Sequence, residues 1–185
     1  MTLRIQLLGG LSASNDGEPV VPPTRKAAAL LALLACRPGT PLPRERVCGL
    51  LWSRSPEAQA RASLRQALVQ LRQALKAPDA IEATTADIRL APDRAEVDLA
   101  VLEKALAGGA PEHARRAAAL FRGDFLDGFL VDDEAFEEWR RTEMRRVREQ
   151  TLLGFGRLLG RLIDDGEAEV GIELGERLLA LEPTS

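Results

Sequence analysis

Tyrosine is missing from this chain, histidine occurs once, cysteine twice, and aromatic residues make up 4% of its 185 positions. With so few rings, the core has to be built from Leu, Ala and Val, which favours helices packed on helices. Two cysteines and one histidine make no zinc set. Cys36 and Cys48 each sit among apolar residues at helical spacing, where a thiol acts as a small hydrophobe, and they read as free thiols in a reducing cytoplasm. No apolar run is long enough for a membrane span and no signal peptide opens the chain. "AAALLALLAC" is too short to cross a bilayer and reads as a buried helix.

Chemistry-bearing patterns are equally sparse. "LLGG" at Leu7 to Gly10 is no phosphate loop, because no Lys-Ser/Thr follows and it leads into a strand. The lone His113 lies early in a helix without a Cys or Ser beside it. Asp124, Asp127, Asp132, Asp133 and Glu134 lack the spacing of a calcium loop and read as carboxylates that cap a following helix and suit its dipole. No residue is therefore assigned a catalytic, cofactor-binding or metal-ligating role, and the chain is not read as an enzyme.

What is present is an ordinary globular composition, 45% apolar and 29% charged, with an uneven charge distribution. Residues 1–95 carry 13 Lys/Arg against 8 Asp/Glu, and residues 96–185 carry 12 against 20. A basic half joined to an acidic half points to two domains with different partners.

"TLRIQLL" alternates apolar and polar residues as a half-buried strand does. Asn15-Asp16-Gly17 is a turn sequence leading to "EPVVP", so a small antiparallel sheet is expected first. Pro22-Pro23 ends it. Thr24 caps a helix over Arg25 to Arg37, stopped by Pro38-Gly39. A short extended stretch, "TPLP", precedes a second helix from about Pro43 to Trp52. Ser55 is expected to cap a third, with Pro56 at its first position. "AIEAT" and "DIRLA" read as a hairpin. Beyond Val97 the pattern is helical: Asp98 caps "LAVLEKALA" and Pro111 opens "EHARRAAALF". A loop, "GDFLDGFLVDD", is anchored by Phe125, Leu126, Phe129 and Leu130. A long helix from Glu134 to Ile163 has Val147, Thr151, Phe155, Leu158 and Leu162 on one face. Asp164-Asp165-Gly166 ends it, and a last helix is expected over about Ala168 to Leu181. The chain stops at Ser185 where another element should begin, which reads as truncation.

The third helix is the candidate site. Leu64, Leu68, Leu71 and Leu75 fall within about 60° of arc on a wheel of 100° per residue, with Arg61, Arg65, Arg72 and Lys76 about 80° away. Gln59, Gln66, Gln70 and Gln73 occupy the far side. Arg and Gln are the side chains that reach phosphates and base edges in a major groove. They also fill solvated helix faces. The context of three helices followed by a hairpin, the layout of a winged helix, favours the first reading.

The stretches "LRIQLLGGL", "DGEPV", "TRKAAALLALLACRPGTPLPRERVCGLLW", "ARASLRQALVQLRQAL" and "DIRLA" resemble the OmpR-type winged helix at the front of Streptomyces antibiotic regulatory protein (SARP)-like activators. "LFRGDFLDGFLVDDEAFEEWRRTEMRRVRE" resembles the bacterial transcriptional activator domain that follows it in those proteins. "DDGEAEVGIELGERLLALEP", with Gly171 and Pro183, resembles half of a tetratricopeptide (TPR) repeat, with Leu178 where such repeats have a small residue. Relatives commonly carry a basic residue where Gln70 stands, and a Gly-Tyr pair where Asp87-Ile88 stands.

The resemblance implies an α+β winged helix over residues 1–95, followed by an all-α TPR-like domain over 96–185. It implies a cytoplasmic transcriptional activator that binds double-stranded promoter DNA and recruits RNA polymerase, with the helical half regulating or forming a homodimer. Helix 56–76 is expected to read the groove through Arg61, Arg65, Gln66, Arg72, Gln73 and Lys76. Arg25 and Lys26 are expected at backbone phosphates, and Arg89 is the one basic residue of the hairpin. With no receiver domain ahead of Thr2, control is expected through the helical half rather than by phosphorylation. The competing reading is a protein-interaction module whose winged helix has lost DNA binding.

Overall fold

The alternation of "TLRIQLL" becomes strand β1 (Leu3–Gln6), which buries Leu3 and Ile5 and exposes Arg4 and Gln6. The computed structural model to which this strand belongs describes residues 2–108, 110–167, 171, 172 and 175. β2 (Ser12–Asn15) and β3 (Glu18–Val20) continue antiparallel. Asp16 (φ 49°) and Gly17 (φ 89°) supply the two positive-φ positions that so tight a hairpin demands.

Helix α1 (Arg25–Ala35) starts where Thr24 Oγ1 accepts the Ala27 N–H at 3.0 Å, and every residue from Ala27 to Ala35 is buried. A helix apolar all round belongs in the centre of a fold. The two-residue strand β4 (Leu42–Pro43) leads into α2 (Arg44–Leu51), and α3 spans Glu57–Leu75. β5 (Ile81–Ala83) and β6 (Asp87–Leu90) form the expected hairpin, and β4 adds to it through Leu42↔Ile88.

Ser55 does not cap α3. Pro56 itself holds the cap position, extended at φ −54° and ψ 145°, and no side chain caps the helix there. A second difference is strand β7 (Ala95–Val97), which returns after the hairpin to pair parallel with β1 and completes a sheet of order β3-β2-β1-β7.

α4 (Asp98–Ala107) and α5 (Pro111–Leu120) follow as a packed pair, and α6 (Glu134–Asp164) is the long helix anticipated from its period. Val147, Thr151, Phe155, Leu158 and Leu162 are all buried on it. Gly154 meets α4 closely: a Cβ there would lie 2.9 Å from Leu106 Cβ. In the loop before α6, Phe125, Leu126 and Phe129 are buried as expected, but Leu130 is 61% exposed and Val131 takes the inward place. Two positive-φ residues, Leu126 (φ 52°) and Gly128 (φ 66°), turn the chain just before this change. The helix expected over about Ala168 to Leu181, with Leu178 and Pro183, lies outside the described residues apart from Gly171, Ile172 and Gly175.

One continuous cluster of buried side chains runs from Leu3 on β1, through α1 and α3, to Leu162 on α6. Both cysteines are buried and free, and burial together with Glu143 pushes the Cys36 thiol up to about 12. No helix among the described residues is long and apolar enough to cross a membrane.

Candidate nucleic-acid interface

Leu64, Leu68, Leu71 and Leu75, with Ala60 and Ala67, are buried under α3. Six buried positions on one face fix the rotation of the helix, and with it what every other residue faces. The C-terminus is fixed as well. Lys76 adopts the left-handed conformation (φ 51°, ψ 25°) and ends the helix. The buried Asn15 of β2 reaches across to donate its Nδ2 to Leu75 O at 3.0 Å and Lys76 O at 3.5 Å. Carbonyls of the last turn have no partner inside a helix, so an amide side chain supplies one here.

On this framework Arg65, Gln66, Gln73 and Lys76 are exposed together along one side of α3. No ion pair among the described residues engages Arg65 or Lys76. Arg61 shares their flank but is bound by Glu57 at 2.6 Å and Glu45 at 3.3 Å, both well exposed. Pairs of that kind are worth little in water and exchange readily for another anion. Arg89 on the hairpin is likewise paired with its cross-strand neighbour Glu82.

Arg72 is half-buried and turns toward the hairpin, donating Nη2 to Ile81 O at 2.8 Å, while its Nε is buried without a partner. It ties β5 to α3. Arg44, not singled out from the sequence, ties α2 to the hairpin turn by donating Nε to Thr84 O at 2.8 Å. Between these ties lies an open cleft of about 410 Å³ walled by Arg44, Arg61, Arg65, Leu64, the carboxylates of Glu45 and Asp87, and the hairpin turn at Thr85 and Ala86. Three arginines from α2 and α3 thus converge beside two carboxylates, one of which, Glu45, already pairs with Arg61.

The two cations of α1 separate. Arg25 is exposed and its guanidinium lies 5.4 Å from the centre of the Phe129 ring. Lys26, expected at a phosphate, points inward instead. Its Nζ bonds Leu51 O at the end of α2 and Asp133 Oδ2 at 3.1 Å. The reason is a carboxylate 107 residues away in sequence, which adjacent residues do not reveal.

Asp133 also departs from expectation. It occupies the cap position of α6, yet its side chain caps nothing there. It accepts the Ser53 N–H at 3.2 Å, Ser53 Oγ at 2.7 Å and Lys26 Nζ. Burial pushes this carboxyl up, but the Ser53 and Lys26 bonds outweigh it and hold the group below the ordinary Asp value. Beside it the exposed pair Arg54–Asp132 spans the same junction. Along α6, Arg140 pairs with Glu137, Arg146 with Glu143 and with Glu103 of α4, and Arg148 with Asp124.

The arrangement offers a convex helix edge bearing amides and cations, a hairpin strapped alongside, and no group of three His, Cys, Asp or Glu among the described residues placed to hold a metal. Residues 87–185 match the bacterial transcriptional activator domain. The chain is similar to the regulatory protein DnrI of Streptomyces peucetius, 27% identical over 186 residues, 86% of this chain and 68% of DnrI. It is also similar to the solved structure of Mycobacterium tuberculosis EmbR in complex with a low affinity phosphopeptide, with a TM-score of 0.71 and 28% identity over 95% of this chain. The match covers 49% of that EmbR chain, so this sequence spans about half its length.

Proposed function

The chain belongs to the bacterial transcriptional activator domain family and is a SARP-like regulator; on that premise we propose that its first 95 residues are a winged helix that binds double-stranded promoter DNA. α3 lies in the major groove, with Arg65 and Lys76 on phosphates and Gln66 and Gln73 toward base edges. Arg61 joins them by exchanging its carboxylate partners for phosphate. The hairpin is the wing, held at its angle by Arg72 and Arg44. From about residue 96 the chain is a TPR-like helical domain that regulates or dimerises, and the assembly recruits RNA polymerase. The observation that carries this reading is the single exposed face of α3 on which Arg65, Gln66, Gln73 and Lys76 coincide.

One observation favours the competing protein-interaction reading. The wing's single cation, Arg89, is neutralised by Glu82, and Glu45 and Glu57 stand beside Arg61. Fluorescence anisotropy against duplex DNA from the regulator's own promoter region, at several salt concentrations, separates the two. Log affinity should fall with log salt at about −0.9 per phosphate contacted, and Arg65→Ala should make the slope shallower by about one contact. No binding at low salt sinks the DNA reading and sends the search to protein partners of the helical half.

A further inference from the structure

α3 carries five large apolar side chains, and four of them are buried leucines. Val69 is the exception, 54% exposed in the middle of the helix. On a wheel of 100° per residue it sits between the cations and the amides of the exposed side. Its neighbours one turn back are Arg65 and Gln66 and one turn forward are Arg72 and Gln73, the i±3 and i±4 positions whose side chains adjoin it. A single exposed valine on a surface is unremarkable in itself. This one occupies the centre of a face otherwise made of long polar side chains, and no element among the described residues covers it.

We infer that Val69 reads the C5-methyl group of a thymine in the bound DNA, an inference that rests on α3 entering the major groove as proposed above. The thymine methyl is the apolar feature of that groove and marks T·A against the other pairs. Valine suits it physically. In a helix its χ1 is held almost entirely in one rotamer, so its two methyls form a fixed surface and lose little freedom on contact. A polar side chain there would have to be desolvated against a methyl without gaining a partner. Gln66 or Gln73, one turn to either side, can bond the N6 and N7 of an adenine, so the preferred step pairs a thymine under Val69 with an adenine nearby.

The test begins by selecting, from a random duplex pool, the sequences the full chain retains. Each thymine of the selected site is then replaced by uracil, which deletes the methyl and leaves base pairing intact. One replacement should weaken wild-type binding about fourfold, the effect of burying one methyl group. Val69→Ser should bind the thymine and uracil duplexes equally and lose the preference for thymine at that position in selection. Ser and Val have similar helix propensities, so the variant should melt at the wild-type temperature, checked by circular dichroism. If wild type is indifferent to uracil everywhere, the inference fails while the DNA reading stands. It fails equally if Val69→Ser retains the uracil effect, because another group then reads the methyl. If no sequence is selected at all, the DNA reading falls and this inference with it.

Discussion

Replacing Asp133 with Ala removes the acceptor at the junction between α2 and α6. The carboxylate is 4% exposed and takes three hydrogen bonds, from Ser53 N, Ser53 Oγ and Lys26 Nζ. A hydrogen bond to a charged group contributes about 1.5–3 kcal/mol, but three on one carboxylate do not add, and the groups left behind differ in what they lose. Ser53 is exposed and recovers water. Lys26 keeps Leu51 O, and with a side chain 28% exposed it is partly hydrated. The net loss should be about 2–3 kcal/mol, which for a chain of this length lowers Tm by roughly 5–10 °C. Asp132→Ala, at a side chain 97% exposed in its pair with Arg54, is the control and should cost no more than about 0.5 kcal/mol.

The same change should alter the acid limb of the stability curve. Because the folded Asp133 carboxyl is held below its ordinary value, its contribution is complete above the unfolded Asp pKa of about 3.9. That contribution is lost as pH falls through the lower folded value. Urea unfolding of wild type and Asp133→Ala from pH 7 down to pH 3 should therefore give curves that differ most at neutral pH and converge in acid. A variant that loses less than about 0.5 kcal/mol, or a difference constant with pH, would show that the junction is held by apolar packing and that the carboxylate contributes nothing of its own.

Two further outcomes follow from charges placed near the proposed interface and in the core. Glu45→Gln with Glu57→Gln releases Arg61 from both partners, so affinity for duplex DNA should rise and the salt slope should steepen by up to one contact; unchanged anisotropy titrations would place Arg61 outside the footprint. Asp98→Ala strips the acceptor from Leu7 N, Leu8 N and Leu99 N, bonded at 2.8, 3.1 and 2.7 Å, and should cost about 2–4 kcal/mol in urea unfolding because buried N–H groups are left unpaired. The pH trend of Asp98 is opposite to that of Asp133. Burial outweighs the three N–H bonds and raises its pKa, so the wild-type carboxylate costs stability at neutral pH that is regained as pH falls through the raised value.

Local period made much of the fold legible. The buried face of α6 and the four leucines of α3 could be counted off because a helix repeats its facing residues every three or four positions, whatever it packs against. What escaped was set by partners distant in sequence. β7 is three residues, "AEV", and becomes a strand because β1 lies open beside it; nothing in its own pattern separates it from a loop. Lys26 looked like a first-turn surface cation until Asp133 was placed next to it. Arg72 shared the basic stripe with Arg65 at helical spacing, but the return of the hairpin turned it into a tie to Ile81. At the candidate site the sequence gives residue types and their angular positions, while the division of labour among the arginines depends on which carbonyls and carboxylates the tertiary fold brings near.

The first sheet explains how the helical half bears on α3. β1 and the segment after it hold the later half by two main-chain bonds, Leu126 N to Leu7 O and Gly9 N to Asp124 O, and by the Leu7 and Leu8 N–H groups donating to the Asp98 carboxylate. Gly9 permits the approach, since its φ of 76° is one that a side chain rarely adopts and a Cβ would meet the Arg122 backbone at 3.3 Å. β2, paired with β1, sends Asn15 to the last turn of α3. At the other end, Asp133 of the α6 cap holds Lys26 of α1 and Ser53 just before α3. Both ends of α3 are therefore connected to the helical half, one by way of the sheet and one through the half-buried Lys26–Asp133 pair and Ser53. On the proposed function, a ligand of the helices would change DNA affinity through this frame only to the extent that it distinguishes two arrangements of it. Of the two connections, one joins main-chain bonds to the Asp98 carboxylate and the other gathers the Ser53 N–H, Ser53 Oγ and Lys26 Nζ on the Asp133 carboxylate.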